Sequence, residues 1–254
     1  MSDGPILLIG GATIRRLRSE GRVVVGTDRE VPDSAPFPVV MHDLPDAQRW
    51  HDVIVRFNIE SVVHAGSISG PMLLRDAPAR LCDINIGGLL GLLEAARIQR
   101  LRRVVWFSSI LAYGERPNLE PVGEDTPLNA TTIYGATKAA GEALVRAFHA
   151  EHGVDAVALR VASCYGPGRT TSCLIRTLIE DGIAGRTTRV QDPPDRSRQH
   201  VFVDDVADAT CAALDAPALS QRAYNIGPGT SQDLDDIVRE VRANGAGGSS
   251  RAPS

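Results

Sequence analysis

The sequence predicts an α/β fold, a doubly wound parallel sheet with a small C-terminal substrate lobe. Three observations predict it. Short β-branched runs alternate with helical stretches over roughly the first two thirds of the chain. Those runs are continuously apolar, the texture of strands buried on both faces. The small and polar residues suited to chemistry fall at the carboxyl ends of the runs, where ligands bind in such sheets.

Strands are expected over 5–10, 22–28, 38–42, 61–65, 102–108 and 155–162. The first ends in Gly10-Gly11-Ala12, whose glycines permit a tight turn. Thr13 follows as the cap of a short helix that stops at Glu20-Gly21. Alone, this is either a plain turn or a phosphate cradle, with Arg15 or Arg16 adding side-chain charge. Asp28 ends the second strand, as a turn cap or a hydrogen-bond acceptor for a ligand, and Arg29 follows it. Asp43-Leu44 follows the third. His64-Ala65-Gly66 closes the fourth, its small residues leaving room beside the backbone. A long helix, Leu81 to Gln99, carries Asn85, and a second runs from Tyr134 to Glu151.

Between these helices lies the chemistry. Tyr134 and Lys138 stand four apart and share a helix face. Ser108-Ser109 ends an apolar run and is delivered to the same place. A free Tyr, with a pKa near ~10, is a poor base at neutral pH, but a neighbouring ammonium favours the tyrosinate. The trio then moves a proton while a hydride leaves to a nicotinamide.

Beyond residue 165 the texture changes. Gly166-Pro167-Gly168-Arg169 reads as a loop, Leu174 to Ile183 as a helix and Asp192-Pro193-Pro194-Asp195-Arg196 as a polar loop. The tail 243–254 is small and polar, with the composition of a disordered segment. The expected organisation is a domain over 1–165 and a lobe over 166–242, interleaved with a return to the main sheet near 201–227.

Composition excludes several classes. Lys and Arg total 27 against 31 Asp and Glu, a net charge of −4, which lacks the basic face of a nucleic-acid binder. No apolar run reaches membrane-spanning length. Met1-Ser2-Asp3-Gly4 leads straight into a strand without a leader, so a cytoplasmic location is expected. Cys82, Cys164, Cys173 and Cys211 have no metal-ligand spacing, and His64 has no second ligand nearby, so no metal is expected.

The motifs come in a familiar order. They are Pro5–Ala12, Val23–Asp28, Ser61–Gly66, Asn85–Gly88, Phe107–Ser109 with Tyr113-Gly114, Tyr134–Lys138, Leu159-Arg160, Tyr165–Gly168, Val203–Ala207 and Tyr224–Gly227. In that order the chain resembles the extended short-chain dehydrogenase/reductase family, in its NAD-dependent epimerase/dehydratase branch. The resemblance implies a Rossmann-type domain binding NAD, with Arg29 leaving NADP open. It places Gly10 and Gly11 at the pyrophosphate, Asp28 on the adenosine ribose, Asp43 and Leu44 at the adenine, and His64, Ala65, Gly66 and Ser108 along the cofactor. Asn85 is expected to support Lys138 from behind. Tyr134 becomes the general base, Lys138 its partner and the ribose ligand, and Ser109 the group that orients the reacting hydroxyl. Tyr113-Gly114 lines the substrate pocket, Ser163 takes a substrate-contacting place where many relatives carry Asn, and Arg198 is the phosphate ligand of a nucleotide sugar.

The implied reactions are epimerisation of a nucleotide sugar or oxidation of a smaller hydroxy substrate such as a sugar acid. Dehydration is disfavoured, because Ile110 and Leu111 beside Ser109 cannot act as an acid/base pair. The glycine turn is shorter than the family pattern and the C-terminus comes early. Both features imply a shallow cleft, and leave open a non-catalytic relative that binds cofactor poorly. Relatives pair through the helices at 81–99 and 134–151, so a homodimer is expected.

Overall fold

A computed structural model describes residues 4–9, 13–115, 122–169, 171–190 and 199–244. Gly10, Gly11, Arg198 and the tail from 245 therefore lie outside the described residues.

Seven parallel strands form the central sheet in the order β3-β2-β1-β4-β5-β6-β9. They are β1 (Ile6–Ile9), β2 (Val24–Asp28), β3 (Val39–Met41), β4 (Ser61–His64), β5 (Arg103–Ser109), β6 (Ala156–Val161) and β9 (Ala223–Ile226). The order reverses direction at β1 and β4, where Ile9 lies in register with His64. That junction is the switch point at which such sheets open a crevice for ligands.

Strand alternation sorts the core into two layers. Leu7, Ile9, Val62 and Val104 face one way, onto α2 (Ala47–Arg56), α4 (Gly88–Gln99) and α5 (Ile133–His152). Ile6, Leu8, Val63, Val105 and Leu159 face the other, onto α1 (Ile14–Ser19) and α7 (Val203–Asp215) through Leu17, Cys211 and Leu214. Each fully buried side chain of this size contributes about 1.5–3 kcal/mol, so the sheet is a rigid platform for its carboxyl edge.

The region past β6 differs from expectation. β8 (His200–Phe202) does not rejoin the main sheet but pairs with β7 (Ser163–Tyr165) in a separate two-stranded sheet. The return comes at β9, which adds to the free side of β6. The intervening α7 packs beneath β5 and β6 because Val203, Val206, Ala207, Thr210, Cys211 and Leu214 recur at helical spacing. α6 (Leu174–Ile183) and α8 (Leu234–Ala243) pack on each other outside this sheet.

The expected helix over 81–99 is helical throughout, but not as a uniform α-helix. It begins as α3 (Pro78–Cys82), widens into a π-helical turn over Asp83–Gly87, and resumes as α4. Asn85 lies in the widened turn, and such insertions concentrate at functional sites. Among the described residues no helix is long and apolar enough to cross a membrane.

Candidate active site

The site forms where α5 crosses the ends of β4 and β5. Thr132 caps α5 by accepting the Gly135 N–H at 3.0 Å. The first turns of α5 then bring Tyr134 and Lys138 to one face, both buried. Ser109 ends β5 and caps the next turn (Ile110–Tyr113), its hydroxyl accepting the Leu111 N–H at 3.2 Å. The Tyr134 phenol meets the hydroxyls of Ser69 and Ser109 together. Lys138 Nζ donates to the Phe107 carbonyl at 2.7 Å and to Ser67 Oγ at 3.2 Å. It also stands over the Trp106 ring, 4.8 Å from the centroid.

Ser67 and Ser69 reach these two residues because the loop between them is clamped. Asn85 Oδ1 accepts the Ile68 N–H at 2.9 Å, and its Nδ2 donates to the Ile68 carbonyl at 3.2 Å and to Thr137 Oγ1 at 3.1 Å. Fixing Ile68 holds its two neighbours against α5, Ser67 at Lys138 and Ser69 at Tyr134. Asn85 thus acts through Ile68 and through Thr137, the residue before Lys138.

Burial dominates the electrostatics. Desolvation raises the Tyr134 pKa, and the two serine hydroxyls oppose the rise. Desolvation lowers Lys138 to about 7. His64, buried between β1 and β5 and packed on Trp50, is lowered to about 3 by burial and then by Lys138, and stays neutral. In the protein alone both partners of the Tyr–Lys pair are therefore drawn towards their uncharged forms.

The remaining expected residues divide. Asp28 is exposed at the end of β2 with Oδ1 accepting the Arg29 N–H at 2.7 Å, as an acceptor for sugar hydroxyls would stand. Gly66 lies so close to Ile9 that no side chain fits there, and Ala65 extends the register as its N–H donates to the Ile9 carbonyl. Asp43 is exposed, whereas Leu44 packs under α4 and its carbonyl accepts Trp50 Nε1. Thr13 takes the cap position of α1, but its hydroxyl makes no cap hydrogen bond and, among the described residues, is buried without a partner. Arg16 turns away to Asp208 of α7 at 2.6 Å. Ser163 lies half-buried in β7. The sites at Asp28, Gly66 and the Tyr134–Lys138 face fit a dinucleotide laid over the switch point. The pyrophosphate position falls outside the described residues.

Tyr113, expected in the pocket wall, has its ring buried and its hydroxyl bonded to Asn225 Oδ1 at 2.7 Å and to Arg160. Ser108 turns into the protein and donates to Glu142 Oε1 at 2.6 Å. Glu142 and Arg160 form a fully buried ion pair that the sequence reading missed. A signal existed: Glu142 continues the Tyr134–Lys138 row by one more turn. A second signal was the composition. Of the 27 Lys and Arg residues only Lys138 is a lysine.

Residues 8–227 match the family model described as the NAD dependent epimerase/dehydratase family. A UDP-glucose 4-epimerase of Mycolicibacterium smegmatis is 30% identical over 243 residues, covering 90% of this chain and 77% of the relative. An L-threonine dehydrogenase from Cupriavidus necator superposes with a TM-score of 0.89 at 26% identity, over 98% of this chain and 86% of that one. A Thermus thermophilus UDP-glucose 4-epimerase, solved in complex with NAD, gives 0.84 at 25% identity, over 97% and 84%.

Proposed function

Because the chain belongs to the NAD-dependent epimerase/dehydratase family, we propose that this NAD-using enzyme is an epimerase that oxidises and re-reduces one C–OH of a nucleotide sugar. The observation that carries the reading is the convergence of Ser109, Ser69 and Lys138 on Tyr134. When bound, NAD supplies the hydride acceptor and donor, and its oxidised ring adds a positive charge that favours the tyrosinate.

The chain's own residues do the rest. Ser109 holds the reacting oxygen beside the Tyr134 phenol. Tyr134 takes the hydroxyl proton as the carbon gives up its hydride, leaving a ketone. For inversion with no net redox change, Tyr134 would give the same proton back to the oxygen once the opposite face of the ketone is presented and reduced. Lys138 holds charge beside Tyr134 and offers its ammonium to the nicotinamide ribose. Asp28 would take the adenosine ribose, and Asp43, Leu44, Ala65 and Gly66 would line the rest of the cofactor's path. Ser163 and Arg198 are assigned to the substrate.

A second reading, dehydrogenation of a smaller hydroxy substrate, is favoured by the likeness to the Cupriavidus threonine dehydrogenase. The second serine on Tyr134 also fits it, since Ser69 can take up a polar group on the neighbouring carbon. One experiment separates the two readings. The protein is incubated with NAD and a panel of UDP-sugars, sugar acids and hydroxy amino acids, and NADH and sugar products are followed. Interconversion of two UDP-sugars without net NADH is expected. Net NADH with a small substrate replaces the epimerase reading by the second, and no turnover with saturating NAD and every substrate class refutes both.

A further inference from the structure

One polar row under the site is unused by this chemistry. Ser108 of β5, Arg160 of β6 and Asn225 of β9 lie in register across three neighbouring strands, one residue short of the catalytic edge. Cross-strand neighbours in register share a face. Glu142 descends onto this row from α5, one turn beyond Lys138 and two beyond Tyr134. Its carboxylate accepts Ser108 Oγ at 2.6 Å, Arg160 Nε at 2.9 Å and Arg160 Nη2 at 2.7 Å. The other arm of Arg160 donates to the Tyr113 hydroxyl and to the Glu124 carbonyl at 2.8 Å. Asn225 ties the same loop to β9 through the Val122 carbonyl at 2.9 Å and Glu124 Oε1 at 3.0 Å. The row therefore joins the catalytic helix, the ends of three strands and the loop that leads into Thr132.

We propose that the buried Glu142–Arg160 pair positions Lys138 and Tyr134, holding α5 at its working distance from the end of β5. The proposal rests on reading Lys138 and Tyr134 as the reacting pair. Two successive links set that distance: Lys138 Nζ to the Phe107 carbonyl, and Ser108 Oγ to Glu142. Weakening the second link loosens α5 against the end of β5 beside Lys138 and lets water in there, while Gly141 on Trp106 and Gly135 on Leu111 keep the helix in place.

The single lysine makes this measurable without substrate. In protein labelled with [15N]lysine, the only Nζ resonance is that of Lys138. Its surroundings are His64 of β4, Trp106 of β5 and Tyr134 of its own helix, with the Glu142 charge held by Arg160. Glu142→Gln removes a negative charge, which by Coulomb's law alone would make Lys138 lose its proton more readily. Loosening and hydration act in the opposite direction. The expected result is an upward move of the Lys138 titration by at least about one pH unit, a tenfold change in its protonation ratio.

A buried Arg160 left without its partner can prevent folding. The double variant Glu142→Gln/Arg160→Met leaves no buried unpaired charge, since Arg146, the other cation on Glu142 at 3.7 Å, is half exposed, and it is expected to move the titration the same way. A downward move in Glu142→Gln, or an unmoved titration in the folded double variant, overturns the proposal, whatever happens to the melting temperature. Failure to turn over any sugar would refute the epimerase reading but leave this result standing.

Discussion

Gly135→Ala should disable the enzyme while leaving it folded. Gly135 follows Tyr134 in the first turn of α5, where the helix rests on the turn that begins at Ser109. A Cβ added there would meet the Leu111 carbonyl carbon at 3.1 Å and Ala130 Cβ at 3.2 Å, with the Leu111 oxygen closer still. That oxygen belongs to backbone and cannot rotate aside. Non-bonded heavy atoms settle near ~3.5 Å or beyond, so relief requires α5 and the turn to part by roughly 0.5–1 Å. The parting falls between Tyr134 and Ser109, and a misplacement of about 1 Å in a reacting geometry costs roughly 100-fold. Overpacking itself costs about 1–3 kcal/mol, which a domain of this size survives. The assay is kcat on whichever substrate the parent turns over, beside NAD affinity and circular dichroism. A loss of roughly 10- to 100-fold in kcat is expected, with NAD affinity nearly kept. A folded Gly135→Ala protein with parental kcat would refute the contact between these two elements as the determinant of catalytic geometry.

Tyr134→Phe deletes only the phenolic oxygen, so turnover should fall to a few per cent or less while NAD binding stays within about twofold by calorimetry. Retained turnover would remove Tyr134 from the base role. Asp28→Ala should weaken NAD with little change in kcat at saturation, and an unchanged Kd would show that the ribose hydroxyls lie elsewhere. Stability should also depend on pH through Lys138. Its folded pKa is about 7 against 10.5 for the free side chain, so between those values the unfolded chain binds more protons and stability rises with pH. The raised Tyr134 pKa adds no loss until pH passes the ordinary tyrosine value. In urea titrations from pH 6 to 9 the parent should gain stability relative to Lys138→Met, and parallel curves would contradict the buried, uncompensated amine.

Much of this architecture is legible in the sequence, for physical reasons that also explain the omissions. The six strands read from continuous apolar runs stand within about two residues of their structural ends, because burial on both faces leaves an unbroken signal. The same logic misses β9, whose residues are only half-buried after Ala223. Helix α2 carries Trp50, Val53 and Ile54 at helical spacing beneath an Asp46 cap, and α7 carries the same period. Both were readable by periodicity but sit where shorter motifs draw attention. The π-helical turn over Asp83–Gly87 is different in kind. It is stabilised by what Asn85 finds across 17 and 52 residues of sequence, at Ile68 and Thr137, and no local pattern encodes it. Glu142 and Arg160 were hidden by the expectation that charges face water. Only the strand register, which aligns Arg160 with Ser108, reveals why they do not.

The single lysine bears on why this site is built as it is. The chain meets every other cationic need with arginine, including the buried fork of Arg160 on Glu142. An arginine at 138 would remain charged under any burial, and its planar group would not fit between the Phe107 carbonyl and Ser67 Oγ. A lysine is compact and can exchange its proton when desolvated, which is the property burial exploits here. The cost is a buried amine with no carboxylate of its own, because the nearest one on α5 is already committed to Arg160 and Ser108. That commitment keeps the Glu142 charge from fixing Lys138 permanently as an ammonium, and leaves its charge state to respond to a bound ligand. Lys138→Arg should therefore be as damaging to turnover as Lys138→Met, although it preserves the positive charge. If the arginine variant kept more than about a tenth of parental kcat, a fixed charge would suffice at this position, and the argument from a titratable lysine would fail.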